Sequence, residues 1–209
     1  MARSPSHTEN AVLVPANPTL CLDFANTLTW RGSDAPSESL RDLDALLTWA
    51  EGKAGLGTDA LRTVRSWAGT HAREAEALFA DAIALRETIF RVFEFVAAGA
   101  EPRDADFAAL REAIAAAPAR TRLARRNAFY GWQLAVPGPA APHILAPVLW
   151  SAADLLLSAA HDRIRQCANE KCLWLFVDES KSGTRRWCDM SSCGNRAKAQ
   201  RHYAKVRRA

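Results

Sequence analysis

At 209 residues, with 49% hydrophobic and 24% charged side chains, the chain has a globular balance that excludes wholesale disorder and fibrous repeats. No apolar run approaches the roughly 20 residues that span a bilayer, and the polar start (Met1-Ala2-Arg3-Ser4-Pro5-Ser6-His7) has no apolar signal core, so a cytoplasmic location is expected. The net charge of +4 is unevenly placed: Lys181, Arg185, Arg186, Arg196, Lys198, Arg201, Lys205, Arg207 and Arg208 stand against Asp189 alone, so this end is built for anions and the remainder is mildly acidic.

Residues 1 to 17, with Pro5 and Pro15, predict a loose arm or a short leading strand. Thr19 to Trp30 places Leu20, Phe24, Thr27 and Leu28 at helical spacing, and Arg31-Gly32-Ser33-Asp34 reads as the stop. Ser37 or Ser39 is the expected cap of a second helix striped by Leu40, Leu43, Leu46, Leu47 and Ala50 and ended by Gly52 or Gly55. Thr58 and Asp59 open a third, with Leu61, Val64 and Trp67 inward. Thr70 to Ala98 has no proline or interior glycine and repeats apolar residues from Ala75 to Val96, which makes it the clearest helix of the chain, stopped by Gly99. Asp104 or Asp106 is expected to cap the next one, striped by Phe107, Leu110 and Ile114 and closed by Pro118. Thr121 to Arg126 and Phe129 to Val136 predict a small β-hairpin around Asn127. After a proline-rich loop, Ile144 to about Arg165 reads as one apolar helix leading into Cys167.

Four of the five cysteines form two pairs, Cys167-x4-Cys172 and Cys188-x4-Cys193. Pairs so spaced can converge on one tetrahedral zinc. In a reducing compartment that outweighs free thiols or two disulfides. Leu173 to Val177 is a strand candidate, Asp178 to Gly183 a turn, and Thr184 to Cys188 a returning strand. Gly194 then lets the backbone turn into a helix whose positive end favours the Cys193 thiolate. A four-thiolate shell leaves no open coordination position, so the metal is expected to be structural. His161 is read as an ordinary helix residue rather than a substitute ligand, and Cys21 as a buried small hydrophobe.

In the last helix Lys198, Arg201, Lys205 and Arg208 share one face. Ala199, Tyr203 and Val206 lie opposite, expected to pack on the zinc module or the body. With Arg185 and Arg186 the cationic row can neutralise phosphates, and the opposite face lacks the large apolar wedge a membrane helix buries. Asp23 and Asn26, one turn apart near Trp30, form a candidate small-molecule site. The competing reading pairs Asp23 with an arginine or a helix terminus and uses Asn26 to cap a neighbour. No Gly-rich phosphate loop, His-Glu metal pair or nucleophile and base set stands out, so no enzyme is expected.

The string from Arg185 to Lys198 closely resembles the CGNR zinc finger family, whose name is spelled by Cys193-Gly194-Asn195-Arg196. The likeness extends upstream through Cys167, Cys172 and Leu175 to Ser180, and downstream through Tyr203 and Arg207. Leu20 to Leu28 resembles the opening of the ABATE domain, a family described as a stress-induced transcription regulator. The resemblance implies a bacterial, DNA-binding transcriptional regulator of mainly α class. Residues 1 to 160 would be a helical ABATE-like sensor domain with the small hairpin, and residues 161 to 209 a treble-clef-like finger of hairpin and basic helix. It further implies Cys167, Cys172, Cys188 and Cys193 as ligands of one structural Zn2+, and Arg185, Arg186, Arg196 and Lys198 as DNA-facing charges. Asn195 would cap the helix or donate to a cysteine sulfur. A small-molecule effector of the N-terminal domain and a homodimer fit such a regulator. The alternative is a protein-interaction or redox-sensing zinc module without direct DNA readout.

Overall fold

A computed structural model describes residues 12–134 and 138–207, so the predicted leading arm before Val12, Val136 at the hairpin's end and Arg208 lie outside the described residues. The fold is organised on α4 (Ala72–Ala97), the long helix its uninterrupted stripe predicts. It buries Leu78, Ala82, Ile89, Val92 and Phe93 and ends before Gly99, whose φ of 69° is easy only for glycine. Against it lie α1 (Leu20–Ala25), α2 (Leu43–Lys53), α3 (Thr58–Ala68) and α5 (Asp104–Ala116), with α7 (Ala146–Leu157) packed over α1 and α5.

Several boundaries differ from the periodicity. The first helix stops at Ala25, where the Thr27 hydroxyl donates to the Phe24 carbonyl at 2.7 Å. Leu28–Thr29 (β2) then pairs with Ser37–Glu38 (β3). Asp42, not Ser37 or Ser39, caps α2 by accepting from the Ala45 N–H at 2.8 Å, and the helix runs through Gly52. Neither Asp104 nor Asp106 caps α5, since Asp106 turns inward to accept from Arg91 Nε at 2.7 Å. The expected hairpin forms as β4 (Leu123–Arg126) and β5 (Phe129–Leu134) around Asn127. It gains a third strand, β1 (Val12–Val14), in the order β1-β5-β4. A Cβ at Gly131 would sit 2.5 Å from the Val14 carbonyl oxygen, so β1 can approach only a glycine there.

The single helix expected from Ile144 to Arg165 is four pieces: α6 (Ala141–Ile144), α7, a 3-10 turn (Ala159–Arg163) and strand β6 (Ile164–Gln166). Pro147 lacks an N–H and so starts a new helix rather than extending one. Ser158 is extended and its hydroxyl caps the 3-10 turn at the Ala160 N–H. Strand β6 pairs with β7 (Leu175–Val177), which lies within the predicted strand from Leu173 to Val177, so β6 takes the place of the predicted return strand from Thr184 to Cys188. Asp178 explains the change. Fully buried, its carboxylate accepts from the Ser180 and Arg185 N–H groups at 2.9 and 2.8 Å and folds residues 178–185 around itself rather than onto a ladder. The Ser180 side chain, those N–H groups and Arg163 hold this carboxyl down at about 2.

The β6–β7 hairpin is docked firmly. Ile164 and Leu175 belong to the same apolar core as Leu22, Phe24, Ile89 and Phe93. On the free edge of β7, the buried Asn26 amide donates to the Leu175 carbonyl at 2.8 Å and accepts the Leu175 N–H at 3.0 Å, in effect a one-residue strand. A Cβ at Gly32 would lie 1.8 Å from the Glu170 carbonyl oxygen, so the loop after β2 touches the cysteine-bearing turn backbone to backbone. Behind that loop the 2% exposed Arg86 bonds Glu38 at 2.7 Å and Glu87 at 2.9 Å, while Arg31 bonds Glu87 and lies over Phe90. This network fixes the β2–β3 hairpin to α4. Helix α8 (Asn195–Val206) follows a π-helical turn, Met190–Gly194. Its expected apolar face stays largely exposed to solvent, Tyr203 at 68% and Val206 at 62%. Among the described residues no helix is long and apolar enough to cross a membrane.

Candidate metal centre and cationic surface

The two cysteine pairs arrive on different devices. Cys167 and Cys172 bracket the turn between β6 and β7, where the Cys167 N–H donates to the Trp174 carbonyl at 2.8 Å and the Cys172 N–H to the Asn169 carbonyl at 2.7 Å. Cys188 leaves the Asp178 loop. Cys193 sits in the π-helical turn, capped by the Asp189 carboxylate at the Ser191 N–H. Gly194 has no positive φ, contrary to the expected tight turn. It is needed for space, with Met190 Sδ 2.7 Å from where its Cβ would be.

The four Sγ atoms all lie within 4.8 Å of one another, with Cys172 to Cys188 at 3.7 Å and Cys188 to Cys193 at 3.8 Å. A tetrahedron with Zn–S of about 2.3 Å has edges of about 3.8 Å, so the donor set fits zinc in both chemistry and spacing. Electrostatics agree. The Cys188 thiol beside it pulls Cys172 down to about 5 and is itself pushed far up, while burial raises Cys167, because one thiolate disfavours the next. A divalent cation removes that conflict and lets all four be thiolates. Trp30, Trp174, Phe176 and Trp187 pack around the sulfurs.

The neighbouring amide differs from the expectation. Asn195 Nδ2 donates to the Ser191 carbonyl at 3.2 Å and so braces the π-helical turn, whereas Asn169 Nδ2 reaches Cys193 Sγ at 3.5 Å. The sequence signal for Asn169 is its place two residues after Cys167, inside the turn that carries the first pair. Cys21 is fully buried, its thiol pushed up to about 12 by that burial, and it serves as a small core residue. His161 lies in the 3-10 turn against Asp162.

Arg185, Arg186, Arg196 and Lys198 are exposed, and among the described residues none of them pairs with a carboxylate. Aromatic rings hold three of them. Arg196 lies 4.5 Å over Trp30, Arg186 5.5 Å over Trp187, and Arg185 4.7 Å over Phe176. Arg185 is also turned inward, donating to the Trp187 carbonyl at 2.8 Å and to the Cys188 carbonyl, which leaves it the least available of the set. Arg201 and Lys205 lie on α8, with side chains outside the described residues. A polar groove of about 300 Å³ runs between Asn169 and Lys171 on the cysteine turn and Arg196 and Gln200 on α8, floored by Trp187.

Asp23, Asn26 and Trp30 have different surroundings. Asp23 is exposed on α1, Asn26 has its amide engaged by Leu175, and Trp30, with φ 56°, belongs to the aromatic shell of the sulfurs.

A family profile described as CGNR zinc finger matches residues 163–206, and one for ABATE, "Putative stress-induced transcription regulator", matches residues 19–159. No curated protein matches the chain. With this match and the geometry above, the four cysteines constitute the site of one structural zinc ion.

Proposed function

The chain belongs to the ABATE family and carries a C-terminal CGNR zinc finger, and on that premise we propose that it is a zinc-dependent, DNA-binding transcriptional regulator. The single observation that carries this is the placement of α8: it leaves the metal site directly after Cys193, with Arg196 and Lys198 exposed and, among the described residues, unpaired by any acid. The cysteine turn, the Asp178 loop and the basic helix fit a treble-clef finger whose zinc sets the direction of that helix. The zinc, when bound, supplies rigidity. The side chains supply phosphate contacts, Arg196 and Arg186 pre-oriented on tryptophan faces so that less side-chain freedom is lost on binding. The helical body receives an effector, the protein acts in the bacterial cytoplasm as a homodimer, and the reading assigns it no catalysis.

If four to six phosphates are neutralised, log affinity for duplex DNA falls with log salt at a slope of roughly −3.6 to −5.4, taking −0.9 per contact. No binding at low salt, or a slope near zero, would refute the reading. A second reading, a protein-interaction module, is favoured by one observation, the exposure of Tyr203 and Val206 along α8. It gives little DNA binding at any salt, so the same titration separates the two.

A further inference from the structure

We propose that the β4–β5 hairpin is a second DNA-contacting element, a ribbon of arginines and aromatic side chains distinct from the zinc module. This rests on the reading of the chain as a DNA-binding protein and adds a surface outside its cysteine-bearing end. From Ala113 to Ala153 the sequence holds no Asp or Glu, yet it carries Arg120, Arg122, Arg125 and Arg126. The structure sorts them. Arg120 stands at the foot of the ribbon, bonded to both Asp154 carboxylate oxygens at 2.5 and 2.6 Å and lying 5.0 Å from the Trp132 ring, so it is a structural clamp. Arg122 and Arg125 are exposed, and among the described residues neither pairs with a carboxylate.

Between and beside them the ribbon exposes side chains that a solvated hairpin has no reason to show. Leu123 is 64%, Phe129 45% and Tyr130 60% exposed, with Tyr130 directly across the ladder from Arg125. The base is rigid, anchored by buried Leu134 and by β1 pairing against Gly131, so the tip is presented on a firm stem.

Charge decides the occupant. Strand β4 is an edge of its sheet, and pairing with a second copy would bring its arginines against their equivalents, the arrangement by which edge strands avoid self-association. A polyanion neutralises the same arginines while offering bases or sugar edges to Phe129 and Tyr130. Two-stranded ribbons fit DNA grooves, and apolar side chains commonly wedge there.

The test compares the zinc-loaded protein with an Arg122→Ala/Arg125→Ala variant and an Arg196→Ala/Lys198→Ala variant in salt titrations on duplex DNA, with zinc content and thermal melting measured on each. The expected result for the hairpin variant is wild-type zinc and melting, a salt slope smaller by about 1.8, and affinity lowered about ten-fold or more at low salt. An unchanged slope and affinity in the hairpin variant, with a loss in the α8 variant, would overturn this proposal and leave the finger reading intact. Loss confined to binding of anionic phosphatidylglycerol vesicles, with DNA binding unchanged, would overturn it in favour of a membrane surface. Failure of the wild-type protein to bind DNA at any salt would overturn both.

Discussion

Replacing Cys188 with serine is expected to abolish stoichiometric zinc and unfold the cysteine-bearing end while leaving the helical body folded. Cys188 is the sulfur that contacts both Cys172 and Cys193, at 3.7 and 3.8 Å, so its loss opens the tetrahedron between the two pairs. Structural zinc contributes about 10–16 kcal/mol in isolated finger peptides, and a serine hydroxyl does not deprotonate to replace the thiolate. Against a competing chelator the variant should hold less than about a tenth of the wild-type zinc. Hydrogen exchange should show α8 and the two cysteine-bearing turns losing protection while α4 and β7 keep it, because Leu175 shares the apolar core of α4 and that core contains none of the four cysteines of the zinc site. A variant with one zinc per chain and unchanged protection would contradict the ligand set.

The second large effect is expected at Asn26. Alanine there strips the partners from the Leu175 N–H and carbonyl, both buried on the edge of β7, at about 1–3 kcal/mol for each orphaned group. A loss on the order of 2–6 kcal/mol in global stability follows, read by urea unfolding of the zinc-loaded protein. Zinc content should stay at one per chain, since no ligand is touched. Asn26→Asp should not rescue, because its second carboxylate oxygen would face the Leu175 carbonyl. A small-molecule site at Asn26 instead predicts a nearly unchanged unfolding curve.

What the sequence made legible follows from which interactions are local. The α4 stripe, the Asn127 turn and the cysteine spacing are all written within short stretches, and the structure shows each. The errors fell where a distant partner decides. Asn26 looks like a polar residue one turn from Asp23 until β7, far along the chain, supplies its partner. The helix expected to reach Arg165 is cut at the extended Ser158, and beyond it Arg163 is held by a distant partner, its Nε donating to the Asp178 backbone carbonyl at 2.5 Å. The return strand failed for the same cause, since a buried carboxylate organises residues 178–185 more strongly than their β-propensity. Asn195 sits beside the cysteine in sequence, whereas Asn169 sits beside its sulfur in space.

The most direct test follows DNA affinity on one sample as zinc is removed by a chelator and then returned. If the metal aims the cationic helix, affinity falls toward the non-specific level with loss of one zinc per chain and recovers when one equivalent is restored. Affinity that is indifferent to the metal through the whole cycle would show that the basic residues act without the scaffold and would contradict the account at its centre.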